Sequence, residues 1–368
     1  MANSFFAGVN EHGTSLTTFK DIFDQDAAID PLRRAYLAER LPHGLIFAGA
    51  VGVGKATTAR ALAALFLCEK PKDAAPCGKC DACRLMSADP CSHPDYHVIT
   101  KELIRYHDKT GKSKGIDLSI HVIRPELIDP AGRKPSMGRG KVFVIEQAEL
   151  MNAAAQNAML KTLEEPLGRT LIVLLTDQPH ALLPTIRSRC QMVRFGALDP
   201  VNVMKELARR GFDKRDAQDA ADFAEGSLGV AIRWLEDDVV APARELSKMI
   251  EELSAGNPKP AGELPEWLKK AAEAYATKQL ERDELGSKDA ATREGYAVYL
   301  RLAGARLRRE LAETEDPDVL ERLCAGIDAL ARAEEYFDSN VTVSLVLQQL
   351  ALTLERELAG GRAAAAKV

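Results

Sequence analysis

The sequence predicts an α/β domain, a sheet of parallel strands flanked by helices, followed by an all-helical region. Between Leu45 and about Phe195 short apolar runs alternate with helical stretches, the pattern of a helix-flanked sheet. Beyond Leu198 that strand signal ends, and a sequence rich in alanine, leucine and charge runs to Leu358. At 368 residues the chain exceeds what one hydrophobic core usually serves, so two or three units are expected.

Three strands stand out, each running into a candidate site element. Leu45-Ile46-Phe47 leads to a glycine-rich turn, Val142-Phe143-Val144-Ile145 to acidic and polar residues, and Leu171-Ile172-Val173-Leu174-Leu175 to Thr176. In open parallel sheets ligands sit beyond the carboxyl ends of the strands, so these elements are expected to converge. In the helical region Gly226 reads as a helix stop, and Ala255 to Pro265 has the Gly and Pro density of a loop. Val343, Val346, Leu350, Leu354 and Leu358 form one apolar stripe at helical spacing, read as core packing. The closing Gly360-Gly361 and alanine-rich tail reads as frayed.

Composition narrows the class. Hydrophobic residues are 46% and charged residues 28%, ordinary for a folded globular protein. No apolar run is long enough to span a membrane and the first residues lack a secretory pattern, so a cytoplasmic protein is expected. A net charge of -5 with a pI near 5.9 argues against holding nucleic acid through overall charge.

Gly49-Ala50-Val51-Gly52-Val53-Gly54-Lys55 follows a strand and opens a helix, the spacing and context of a phosphate-binding loop. Its glycines let backbone N–H groups face a phosphate at the positive helix end, and Lys55 adds charge for the outer phosphates. The next residue normally supplies a hydroxyl to magnesium, but here it is Ala56, followed by Thr57 and Thr58. The second strand should deliver an Asp to magnesium and then a Glu that polarises water; this chain has Glu146-Gln147. A neutral Gln147 takes no proton, which costs roughly the 10²- to 10⁴-fold attributed to a general base. Hydrolysis is therefore expected to be lost or very slow, with ATP and magnesium binding left open.

Seven cysteines are present, and Cys68, Cys77, Cys80 and Cys83 give C-x8-C-x2-C-x2-C. Two C-x2-C steps with a fourth thiolate suit a closed, structural zinc site. The rival is an iron–sulfur cluster, whose next ligand position holds Ser87, with Cys91, His93 and His97 as substitutes. Cys190 and Cys324 read as buried thiols.

Several stretches resemble the bacterial DNA polymerase III clamp-loader family of AAA+ proteins. They are Phe19-Lys20-Asp21-Ile22 with Gln25, Leu41-Pro42-His43-Gly44, Asn157-Ala158-Met159-Leu160-Lys161-Thr162-Leu163-Glu164-Glu165-Pro166, and Pro184-Thr185-Ile186-Arg187-Ser188-Arg189-Cys190. The resemblance covers about Phe19 to Trp234, with a weaker trace at Asn340 to Leu350. It leaves Asn10 to Thr18 and loop-rich insertions around Lys101 to Asp117 and Asn257 to Glu281 unexplained.

The resemblance implies an AAA+ P-loop domain at 1–197 with the zinc module at about 68–91, a helical lid at 198–240 and a helical collar at 241–368. It makes Arg189 an arginine finger reaching a neighbouring subunit's ATP, and Thr176 a sensor of the chain's own site. The family's second sensor arginine falls on Gly229, with Arg233 one turn on as a weak substitute. Features serving the chain's own hydrolysis are eroded while Arg189 remains, which suits the delta-prime branch better than the ATP-hydrolysing tau/gamma branch. Implied partners are tau/gamma and delta subunits in a hetero-oligomeric ring, with the sliding clamp and primed DNA reached through the complex.

Overall fold

The computed structural model describes residues 16–107, 117–282, 287–337 and 341–358. They fall into two compact units, Met1–Asp199 with Gly226–Val230, and Pro200–Glu225 with Ala231–Val368.

The first unit is built on a five-stranded parallel sheet in the order β2-β3-β4-β1-β5. Its strands are β1 (Gly44–Ala48), β2 (Tyr96–Ile99), β3 (Lys141–Ile145), β4 (Thr170–Thr176) and β5 (Gln191–Arg194). The expected central strands β1, β3 and β4 are buried along their whole length, as a sheet covered on both faces requires. Strand side chains alternate between faces, so Ile46, Phe143, Ile145, Ile172 and Leu174 enter one apolar layer with Met159 and Leu163. Leu45, Phe47, Val142, Val144, Leu171 and Val173 enter the opposite layer, with Leu62, Phe66 and Met86. The edge strands β2 and β5 are additions to the sequence reading. Each is only four residues long, and Gln191 and Arg194 of β5 are exposed.

The second unit is all helical among its described residues. Its long helices are Val240–Ser254, Lys259–Arg282, Lys288–Glu313, Pro317–Phe337 and Val343–Leu358. The stripe on the last is core, with Val346, Leu350, Leu354 and Leu358 all buried. Among the described residues no helix is long and apolar enough to cross a membrane.

Three expectations are corrected. The loop placed at Ala255 to Pro265 ends at Pro258, and most of the supposed insertion Asn257 to Glu281 is one helix of 24 residues. The Asn257 side chain accepts from the Lys259 N–H at 3.1 Å, and Pro260 occupies the first turn, where a missing N–H costs little. Pro265 is carried inside that helix, whose face buries Leu264, Leu268, Ala272 and Tyr275. Cys324 is exposed, because its helix Pro317–Phe337 turns Leu323, Gly326 and Leu330 inward instead. Of the stretch Lys101 to Asp117, residues 108–116 lie outside the described residues, as does the Gly360-Gly361 tail.

Phe143 is fully buried at the sheet centre, so Phe143→Ala is expected to lower unfolding free energy by about 3–5 kcal/mol in denaturant titrations. Leu352→Ala, on an exposed helix face, is expected to change it by less than about 0.5 kcal/mol.

Candidate functional site: a phosphate loop, a thiol cluster and a surface arginine

The glycine loop leaves the carboxyl end of β1 and enters the helix Lys55–Leu67, with Gly54 at the helix start in the left-handed region (φ 101°). Lys55 folds back over the loop, its Nζ donating to the carbonyls of Gly49 at 2.5 Å and Ala50 at 2.7 Å. The Ser227 hydroxyl donates to Val51 O at 2.7 Å, the Gly229 N–H to Gly52 O at 3.0 Å, and Gln25 Nε2 to Val53 O at 3.1 Å. Gly54 O takes the Thr58 hydroxyl at 2.8 Å. All six carbonyls from Gly49 to Gly54 are thus held by the chain's own donors.

Gly229 is packed against this loop. A Cβ on Gly229 would lie 2.8 Å from Gly52 Cα, closer than side-chain carbons approach backbone. Gly52 itself has φ 77°, a conformation that glycine adopts without strain. Arg233 is engaged elsewhere, bonded to Gln279 at 3.0 Å and paired with Glu294 and Asp237.

The side chains that follow Lys55 differ in exposure. The Ala56 methyl packs against the apolar layer. Thr57 is exposed, and Thr58 is buried with its hydroxyl committed to its own helix. Glu146 follows β3, with its carboxyl pushed up to about 7 by burial and by Glu102. Gln147 is exposed and takes the left-handed conformation (φ 49°). Thr176 is buried at the end of β4 and accepts the Gln178 N–H at 3.0 Å.

The sequence reading passed over Glu149, which the turn Ala148–Leu150 brings beside Thr176. Burial raises its carboxyl pKa, against the hydrogen bond from Thr176 and the charge of Lys55. Lys55 is in turn lowered by burial, against the attraction of Asp177 and Glu149. Their acidity adjacent to Thr176 was the available signal, but a turn's direction is not written in residue spacing. Ser227 was missed for the same reason.

The four cysteines of the C-x8-C-x2-C-x2-C run gather with all thiol sulfurs within 4.8 Å of one another. Cys68 ends the helix Lys55–Leu67, Cys80 caps the helix Asp81–Ser87 and Cys83 lies inside it. Cys68 to Cys80 and Cys77 to Cys83 are each 3.9 Å apart, against the edge of about 3.8 Å that a tetrahedron with 2.3 Å zinc–sulfur bonds demands. Backbone N–H groups of Lys79 and Cys80 hold the Cys77 thiol down to about 6, whereas burial pushes the Cys68 and Cys83 thiols up. The rival ligands lie outside the four-sulfur group. The Cys91 thiol contacts Leu85 O and Met86 Sδ, the His93 ring accepts the Asp95 N–H, and His97 stacks on Phe143. The cluster therefore fits one tetrahedral ion.

Arg189 lies in the turn between the helix Pro184–Arg187 and β5, half-exposed and paired with Glu164. The adjacent Cys190 is buried, its thiol pushed up to about 12 by that burial.

A parallel sheet that delivers a glycine loop with its lysine, an acidic turn and a threonine from neighbouring strand ends defines a P-loop protein of AAA+ type. Residues 24–199 match the family described as "DNA polymerase III, delta subunit". The DNA polymerase III subunit delta' of Pseudomonas aeruginosa is 40% identical over 148 residues, covering 40% of this chain and 41% of that one. That of Escherichia coli is 32% identical over 210 residues, covering 57% and 59%. The Escherichia coli subunit tau is 32% identical over 230 residues, 61% of this chain and 33% of that one. Among solved structures, a gamma-subunit-related protein of Thermotoga maritima overlays with a TM-score of 0.41 at 20% identity, covering 90% of this chain and 99% of that one, a likeness too slight to argue from. Over residues 24–199 this chain is similar to that family and to the DNA polymerase III delta' subunits. The alignments span 41% and 59% of the length of the two delta' relatives.

Two outcomes follow from the geometry. Elemental analysis of purified protein is expected to find about one metal ion per chain, and Cys80→Ser to lose it together with several degrees of thermal midpoint. Separately, the folded Glu146 carboxyl keeps its proton to about pH 7 while its ordinary value is 4.5, so folding takes up a proton between these values. The stability linked to Glu146 is fully present below pH 4.5 and is lost as pH rises through about 7. Glu146→Gln, which cannot ionise, is expected to be more stable than the parent at pH 8 by on the order of 1–3 kcal/mol, with the difference vanishing toward pH 4.

Proposed function

We propose that the chain is a delta'-type ring member of a DNA polymerase III clamp loader that does not run its own ATP site. In this reading it joins tau/gamma and delta subunits in a hetero-oligomeric ring that loads the sliding clamp onto primed DNA. Residues 1–197 would be the AAA+ domain, 198–240 the lid and 241–368 the collar. Zinc held by Cys68, Cys77, Cys80 and Cys83 would be structural, since four thiolates leave no open position for catalysis.

The observation that carries the proposal is Gly229 packed on Gly52 of the phosphate loop, with the Ala56 methyl in the apolar layer and Lys55 bonded to the Gly49 and Ala50 carbonyls. Ala56 offers no ligand to magnesium and Gln147 no base to water, so a nucleotide that entered would meet neither. Arg189 stands apart from this site, on the exposed turn after Pro184–Arg187, and is free of its defects. A fixed guanidinium placed against phosphoryl oxygens stabilises the charge they gain in the transition state, whichever subunit supplies it.

In the reconstituted complex, Arg189→Ala is expected to lower ATP turnover at the site it serves by about 10³-fold, and clamp loading with it, while assembly is retained. Parent rates in that variant would remove the finger. The purified chain alone, with magnesium and primed DNA, is expected to hydrolyse no ATP above background. Robust turnover there would establish the alternative, an active ATPase of the tau/gamma kind.

A further inference from the structure

The Arg189 side chain is not a loose surface arginine. Its Nε donates to Glu164 Oε1 at 2.7 Å and its Nη2 donates to the same oxygen. Its Nη1 donates to Thr185 O at 3.1 Å, with the Ser188 hydroxyl 3.4 Å away. Thr185 and Ser188 belong to its own turn, but Glu164 ends a different element, the helix Ala153–Glu164. The Arg189 and Glu164 side chains are 34% and 47% exposed. An ion pair that open adds little to stability, so holding the fold together is a poor account of it.

What the pair does change is the freedom of the arginine. A guanidinium carries five N–H donors in a rigid planar fork. Glu164 takes two from the Nε edge, and Nη1 gives one to the Thr185 carbonyl and, at 3.4 Å, one to the Ser188 hydroxyl oxygen, which leaves the second N–H of Nη2. The anchored edge faces this chain's own helix, and the remaining Nη2 donor can meet a phosphoryl oxygen.

We propose that Glu164 is a positioning residue for Arg189: it grips the Nε edge of the guanidinium so that the charged terminus, with its remaining Nη2 N–H, is presented already ordered to the phosphates of a nucleotide held by a neighbouring subunit. The inference rests on reading Arg189 as an arginine finger. Pre-ordering matters because a charge acts on a transition state only if it need not reorganise when the reaction occurs. A long side chain that must first find its rotamer delivers less of that charge. The carboxylate oxygen accepts from both Nε and Nη2, so the geometry needs an acceptor at this place more than a negative charge.

The test uses the reconstituted complex with tau/gamma and delta, the clamp and primed DNA, and reads kcat and KM for ATP separately. Glu164→Ala is expected to lower kcat about tenfold, with KM, assembly and thermal midpoint unchanged. Glu164→Gln keeps an acceptor oxygen for the Nε–H and is expected to recover most of that loss. Combined with Arg189→Ala, Glu164→Ala is expected to add no further slowing, because the residue acts through the arginine. If Arg189→Ala is slow while Glu164→Ala turns over like the parent, the positioning role is overturned and the finger stands. If Glu164→Ala slows the Arg189→Ala complex further or lowers its thermal midpoint, Glu164 acts on the fold and the proposal also fails. If Arg189→Ala itself has parent kcat, the finger reading falls and takes this inference with it.

Discussion

The contact of Gly229 on Gly52 holds the glycine loop against the segment Gly226–Val230. A backbone N–H from one segment closes on a carbonyl of the other, with their α-carbons too near for a side chain between them. Ser227 reaches the neighbouring carbonyl from the same segment, and Lys55 and Gln25 close the remainder. A loop of this kind normally keeps its lysine for the outer phosphates. Here the lysine serves the loop itself, and burial lowers its affinity for a proton. Ala56 and Gly229 both pack at this loop, one with its methyl in the apolar layer and the other backbone to backbone.

The parallel sheet explains how residues from such distant parts of the sequence meet. β1, β3 and β4 run the same way side by side, so the Gly49 loop, Glu146 and Thr176 all emerge at one edge. The acidic turn after β3 adds Glu149 to that edge, where the Thr176 hydroxyl and the Lys55 ammonium face it. The arginine is carried on the turn before β5, in the same unit but on its own anchor, and so its chemistry is separable from the fate of the loop.

The central strands and the glycine loop were legible because burial on both faces forces continuous apolar runs and a tight turn forces glycine. The cysteine ligands were legible because two of their spacings are short enough to fix geometry by themselves. The edge strands were not, since Tyr96–Ile99 and Gln191–Arg194 are brief and partly exposed and carry no run that distinguishes them from a loop. Pro258, Pro260 and Pro265 hid the helix Lys259–Arg282, because proline in an opening turn reads in sequence like proline in a loop. Glu149 and Ser227 were invisible beside the loop for a different reason. Each meets a partner far away in sequence, and such pairings are made by the fold.

The cysteine cluster and the glycine loop share one helix. Lys55 opens it and Cys68 closes it, so a rod of 13 residues, about 20 Å long, runs from the loop to the thiol cluster. Its face is apolar almost throughout, and Leu62, Ala63, Phe66 and Leu67 seat it on the sheet. One helix seated on the sheet thus fixes the distance between the glycine loop at its start and the thiol cluster at its end.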